Sequence, residues 1–464
     1  MLTLINILFL FTFQFIAGWG ILSLFKITLK PWPSLALAFM VGTAFFSVIP
    51  FLLELGHIPL TKTIVYSTLL VASLLTIAFR PVYCAAELKK AVLGLRFSLR
   101  IYEIPYMAVL LFLVLLSVWR CYYLPPTSRD FTSGAEVLAK YALTEHTFVN
   151  SVFSVNLEST NNPFKPPYLM CLQLIYKQAG LAFGQIWLSA LWISFLVFLY
   201  HALTERLHRI VAGILLLFFV AIPEMYAYTV LVLFDYSNAI FFLLTIYFLI
   251  DYLKAASPST RKLWFTAILA GISCYIRSET LVLLAMIAPL FLVHQWRTHR
   301  PLWKGIVPAV IFMIPPVIVY VLTITVYLNH YLPVKYDVAG TLNNHLSDIS
   351  TFFNRLGGIN SRLIFSHQGI IFYSCYFFLF LALFAAEAIF QRKFSRESQN
   401  WLFAILVVYF GLAFLGYLLP LMDLINTTKR GLFKIFPLML LYLGNNEVLL
   451  SLSQWLKKYD TANN

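Results

Sequence analysis

Charge is scarce in this chain, and acid is scarcer than base. Only 11% of its 464 residues are charged, with 19 Asp and Glu set against 33 Lys and Arg. A soluble domain carries about 25% charged residues, so an ordinary water-soluble globule is excluded. Cysteine is nearly absent too. The five that occur (Cys84, Cys121, Cys171, Cys274, Cys375) are odd in number and scattered through or beside apolar stretches. They show neither a disulfide framework nor metal-ligand spacing. No Lys or Arg precedes the first apolar run, which argues against a cleaved signal peptide. No repeat of the 20–50-residue kind appears, nor two halves with matching Gly/Pro interruptions, the usual mark of a transporter.

What is present is apolar: 61% of the residues are hydrophobic. A bilayer core of about 30 Å needs about 20 such residues per helix. About thirteen segments approach that length: 4–25, 33–55, 60–79, 105–124, 183–204, 210–232, 237–254, 263–276, 279–296, 305–329, 368–390, 400–420 and 432–450. The expected fold is therefore all-α, a single polytopic transmembrane bundle over residues 1–464. Placing the basic stretch 80–104 in the cytoplasm puts 20 of the 33 basic residues on that side and leaves 13 outside. The acids lean the other way, 11 outside and 8 inside. Two large loops, 125–182 and 330–367, then face the periplasm of a bacterial inner membrane. The net charge of +14 is accounted for by a basic rim facing anionic lipid and calls for no nucleic acid.

The first of these loops is the longest weakly hydrophobic interval. It carries Arg129 and Asp130, then Ser133-Gly134-Ala135-Glu136 in capping-box form with Val137, Leu138, Tyr141 and Ala142 at helical spacing. Pro166-Pro167 opens a second run from Tyr168 to Tyr176. The pattern predicts two amphipathic helices against a membrane surface. Glu54 and His57 read as a solvated turn, and Glu224 as a helix-end residue at the interface. Asp235 fits equally an N-cap or a functional acid.

Arg277 is the sharper signal. The apolar run before it has 14 residues, about 21 Å at 1.5 Å per residue, too short to cross the core. Arg277 and Glu279 then lie at membrane depth, where a charge normally faces a cavity or an anionic ligand. The structural reading of the same residues is an Arg277–Glu279 ion pair. In the second loop, Lys335, Asp337, His345, Arg355 and Arg362 are polar, and its lone histidines read as surface residues.

A carboxylate, cations at headgroup depth and membrane-hugging helices suit a sugar carried on a polyprenyl phosphate. Phosphate is a good leaving group, so transfer needs a base for the acceptor hydroxyl and cations for the phosphate. At these residues the chain resembles the GT-C superfamily of integral-membrane glycosyltransferases, which includes protein O-mannosyltransferases and lipid A aminoarabinose transferases. The likeness covers about 124–296 and rests on Asp130 heading the loop, Lys165-Pro166-Pro167-Tyr168, and the hairpin from Gly271 through Arg277 to Glu279. Arg129 and Phe131 flank Asp130 where many relatives have two adjacent acids, and three spans precede the loop instead of one.

The resemblance implies Asp130 as the base, Arg277 on the donor phosphate, and Lys165 beside it. Asp235, Arg129 and Glu279 complete the expected substrate-binding set. Neither a cofactor nor a metal is expected. The partners would be a lipid-linked sugar donor, membrane lipids, and a periplasmic glycan, lipid or protein acceptor. A polymerase or ligase using a pyrophosphate donor, with Arg355 and Arg362 essential, is the alternative enzyme. A transporter or flippase is the alternative from another class.

Overall fold

The computed structural model describes residues 2–462 except 97, 156–164, 256, 334–348, 370–372, 374, 392–393 and 420–421. Lys335, Asp337 and His345 therefore lie outside the described residues. Helices make up the structure, with no strand among the described residues. Among the described residues, eight helices are long and apolar enough to cross a bilayer: Thr3–Phe25, Pro31–Leu55, Ile101–Tyr123, Ile186–Thr204, Phe234–Lys254, Thr280–Arg297, Trp303–Tyr331 and Arg396–Leu418. Two bent pairs, Lys62–Ala78 with Pro81–Leu93 and Leu424–Leu443 with Glu447–Asp460, raise the number to ten. The chain is an all-α polytopic membrane protein.

Ten falls short of the thirteen expected from hydropathy, which measures apolar length and not whether a helix runs unbroken. The segment 210–232 breaks at Pro223 into Arg209–Val220 and Pro223–Ala227. Proline at the start of the second piece has no N–H with which to continue the first. In the segment 368–390 the longest helix among the described residues is the 16-residue Cys375–Phe390. Thr260–Ile276 has 17 residues, about 26 Å of helix, and stops below full span length.

Burial sorts the helices into layers. In Phe234–Lys254, 89% of the apolar window is buried, so this helix is the axis of the bundle. In Ile101–Tyr123 and Trp303–Tyr331 only 22% is buried, and Leu111, Phe112, Leu115, Val310 and Val317 point outward, where lipid would cover them. Thr260–Ile276 packs between the axial helix and Trp303–Tyr320. The first two helices pack closely, because Gly18 and Gly42 present no side chain. A Cβ on Gly18 would stand 1.7 Å from the Ala38 carbonyl oxygen, and one on Gly42 1.8 Å from that of Gln14. Small residues at such crossings let helices approach where apolar contact alone gives no preference over lipid.

The first large loop carries helices at Ala135–Glu145 and Tyr168–Gln178. Every residue from Tyr168 to Lys177 is buried, so the second is a core element rather than one lying on a bilayer. The capping box does not form. Gly134 occupies the N-cap, the Ser133 hydroxyl donates to the Arg129 carbonyl at 2.6 Å, and Glu136 turns inward onto Lys177 at 2.6 Å. Glu54 is no solvated turn either. Its carboxylate is 2% exposed and accepts from Thr147 Oγ1, the Phe148 and Val149 amides and Tyr331 Oη. It pins the loop to the top of the second helix.

Candidate functional site

Four distant segments meet at the N-terminal end of the axial helix. The first is the one-turn helix Arg129–Thr132, which sets Asp130 at the rim with its carboxylate partly exposed. The second is the Lys165-Pro166-Pro167 corner. Both prolines are buried, Pro167 stands at the N-cap of the following helix, and Lys165 is exposed. Tyr168 meets Tyr275 edge-on at 6.1 Å, which ties this corner to the segment carrying Arg277.

The third segment is the break between Thr260–Ile276 and Thr280–Ile287. Arg277 sits in it with extended backbone, φ −145° and ψ 113°. The break is locked to the axial helix by Asn238, whose Nδ2 donates to the Ser273 carbonyl at 2.7 Å and to Thr280 Oγ1 at 3.1 Å. Three residues before Asn238, Asp235 is 2% exposed and accepts from Arg277, which also pairs with Glu279. Asp235 is thus an ion-pair partner and not a cap; the N-cap of its helix is Leu233. Arg277 lies deep in the structure, and the ion pair with Glu279 weighed for it forms, with Asp235 as a second carboxylate.

The fourth segment, 428–434, supplies residues that sequence reasoning missed. Arg430 Nη1 donates to Asp130 at 2.5 Å. Lys429 pairs with Glu224 at 2.8 Å, and Glu224 also accepts from the Tyr373 hydroxyl. Glu224 therefore belongs to the cluster and is more than a helix end. Lys434 is 2% exposed and forms neither a hydrogen bond nor an ion pair among the described residues. It lies within Coulomb range of Arg277, Glu279 and Asp235. The signal that would have found it is the lysine itself, standing inside the apolar run 432–450, where a charge is functional by default.

The pieces form one electrostatic unit. Lys165 feels Arg277, Glu279, Asp235 and Asp130, and Arg430 feels both Asp130 and Asp235. Desolvation by the surrounding protein, and then the Arg277 charge, hold the Lys165 ammonium below the ordinary lysine pKa. Five cations (Lys165, Arg277, Lys429, Arg430, Lys434) meet four carboxylates (Asp130, Glu224, Asp235, Glu279), a surplus of one positive charge.

Arg129 stays outside. Its side chain is exposed and makes no ion pair among the described residues. Arg355 donates to the Met422 carbonyl at 2.7 Å, and Arg362 is exposed. Among the described residues, no three His, Cys, Asp or Glu side chains converge as metal ligands.

The arrangement sets buried cations in surplus beside one partly exposed carboxylate, Asp130, a combination suited to an anionic ligand. No protein-family model matches the chain, and no curated protein or solved structure matches it either.

Proposed function

We propose that the chain is a membrane glycosyltransferase that moves a sugar from a polyprenyl-phosphate donor to an acceptor hydroxyl, with inversion at the anomeric carbon. The observation that carries this reading is Lys434, a buried lysine with no hydrogen bond or ion pair among the described residues, set beside a braced arginine in a cluster that also holds the partly exposed Asp130. A buried ammonium without a partner costs several kcal/mol, so a ligand anion is its natural counterion. The bundle supplies lipid on its flanks for a polyprenyl tail.

In the proposed step, the Asp130 carboxylate takes the proton of the acceptor hydroxyl. The freed oxygen bonds to the anomeric carbon as the bond from that carbon to the phosphate oxygen breaks. The leaving polyprenyl phosphate keeps the electron pair, and Lys434, Lys165 and Arg277 stabilise its charge. Arg430 pairs with Asp130 and positions its carboxylate until the acceptor arrives. Asp235 and Glu279 orient Arg277 and make no bond to substrate. The acceptor site would face the periplasm, following the skew of basic residues.

The test is to reconstitute the protein in liposomes with a panel of radiolabelled polyprenyl-phosphate sugars and follow release of label from the lipid. Wild type should consume at least one donor, and Asp130→Asn should slow it by ~10²–10⁴-fold, the usual effect of losing a general base. The Asp130–Arg430 pair is partly exposed, so its loss should cost about 1 kcal/mol or less and the variant should fold. Near-normal consumption by a folded Asp130→Asn would remove Asp130 as the base, and consumption of no donor by wild type would remove the reading.

A further inference from the structure

A second polar region lies at the other end of the bundle. The axial helix has 21 residues from Phe234 to Lys254, about 32 Å, so its far end is a bilayer core away from the charged cluster. There a cleft of about 460 Å³ opens between the end of Leu2–Phe25, the end of the axial helix and the start of Thr260–Ile276. Lys26, Arg261 and Lys262 line it with one carboxylate, Asp251. Lys262 pairs with Asp251. That leaves Lys26 and Arg261 with no carboxylate partner among the described residues. Thr28, Ser257, Ser259 and Thr260 add hydroxyl donors to the same walls.

Lys26 is placed there against backbone preference. It ends the first helix in the left-handed region, φ 53°, with its amide on the Ser23 carbonyl at 3.2 Å and the Ile27 amide on the Leu22 carbonyl at 3.0 Å. This is the position where glycine closes a helix at least cost. Its ammonium stands 5.9 Å from the centre of the Tyr83 ring, at the cleft wall.

We infer that this cleft binds a phosphate group, held by Lys26 and Arg261 and oriented by the surrounding hydroxyls. A tetrahedral oxyanion fits two unmatched cations and several donors; a carbohydrate or a cation does not. The inference is independent of the chemistry proposed for the opposite face. The phosphate can belong to an anionic phospholipid, since the helix ends stand at headgroup level, or to a soluble molecule from the aqueous side.

The experiment uses the full chain in phosphatidylcholine nanodiscs. One arm titrates inorganic phosphate by calorimetry. The other adds phosphatidylglycerol to the discs and counts retained lipids by native mass spectrometry. Lys26→Gly with Arg261→Ala should weaken whichever interaction wild type shows by roughly 25-fold, about fivefold for each surface charge. Lys89→Ala, which removes an exposed basic residue outside the cleft, should leave it unchanged. Saturable binding of phosphate assigns a soluble ligand; retention of phosphatidylglycerol alone assigns a lipid. Lys26→Gly also relaxes the helix end, so it should be at least as heat-stable as wild type, which separates lost binding from lost folding. No binding in either arm, or equal binding by wild type and the double variant, overturns the inference.

Discussion

Two kinds of buried charge occupy this bundle. Among the described residues Glu54 and Glu387 pair with no cation, and each is satisfied by neutral donors. Glu54 accepts from Thr147, two amides and Tyr331. Glu387 accepts from Tyr442 Oη at 2.5 Å, Asn446 Nδ2 at 2.9 Å and the Glu447 amide at 3.2 Å. The cluster around Asp235 is built differently, with cations in surplus, one of them unpartnered, and its outermost acid open to solvent. A carboxylate surrounded by donors fixes helices to one another, and nothing is left over for a ligand. A buried cation that forms no hydrogen bond or ion pair keeps its donors available for a ligand anion. Full satisfaction marks structure, and a deliberate deficit marks a site.

The two regions should fail in different ways when changed. Glu54→Ala strands Thr147, two amides and Tyr331 without an acceptor. At about 1–3 kcal/mol for each stranded buried donor, with partial relaxation, the loss should be on the order of 4 kcal/mol. Thermal unfolding in detergent would read it as a large fall in Tm, while transfer per folded molecule stays near normal. A Glu54→Ala protein with wild-type Tm would break the distinction from the structural side.

Lys434→Met tests it from the other side. Methionine fills much of the same volume without a charge, so relieving an unpartnered ammonium should leave the protein as stable as before or more so. Transfer from a polyprenyl-phosphate sugar should nevertheless drop by ~10²–10³-fold, the usual consequence of removing one preorganised group that stabilises transition-state charge. If Lys434→Met destabilises the protein and leaves transfer alone, Lys434 is structural and the deficit was only apparent.

How far each region could be read in advance follows from what made it visible. The spans were legible because hydropathy sums over many residues, and the short helix before Arg277 was legible because its length could be compared with the bilayer. Helix breaks were less so. Pro223 marks one, yet the apolar count runs across it. Asp130 and Lys165 were singled out through the family resemblance, and Asp235, Arg277 and Glu279 first from local features; all five fall in the cluster. Arg430 and Lys434 were missed because they lie roughly 150 residues beyond Arg277 in the sequence, and only tertiary packing brings them beside it. Glu54 was misread for the same reason, since its partners come from the 147–149 loop and from Tyr331, 277 residues away.

The smallest effect concerns Lys165, and its value lies in its sign. Desolvation by the surrounding protein and the Arg277 charge lower the Lys165 pKa below the ordinary value, which is about 10.4. As pH rises through the lowered value, the folded protein loses a proton that the unfolded chain still holds. Between the two values the unfolded state binds more protons, so stability should rise with pH. Donor use should move the opposite way, because the ammonium that meets the phosphate is vanishing. A residue with only a structural role would give the first trend without the second. Lys165→Arg keeps the charge at every accessible pH, so both trends should flatten and the alkaline limb of transfer should move upward. If the limb stays in place in Lys165→Arg, the titrating group lies elsewhere in the cluster and Lys165 does not contact the phosphate.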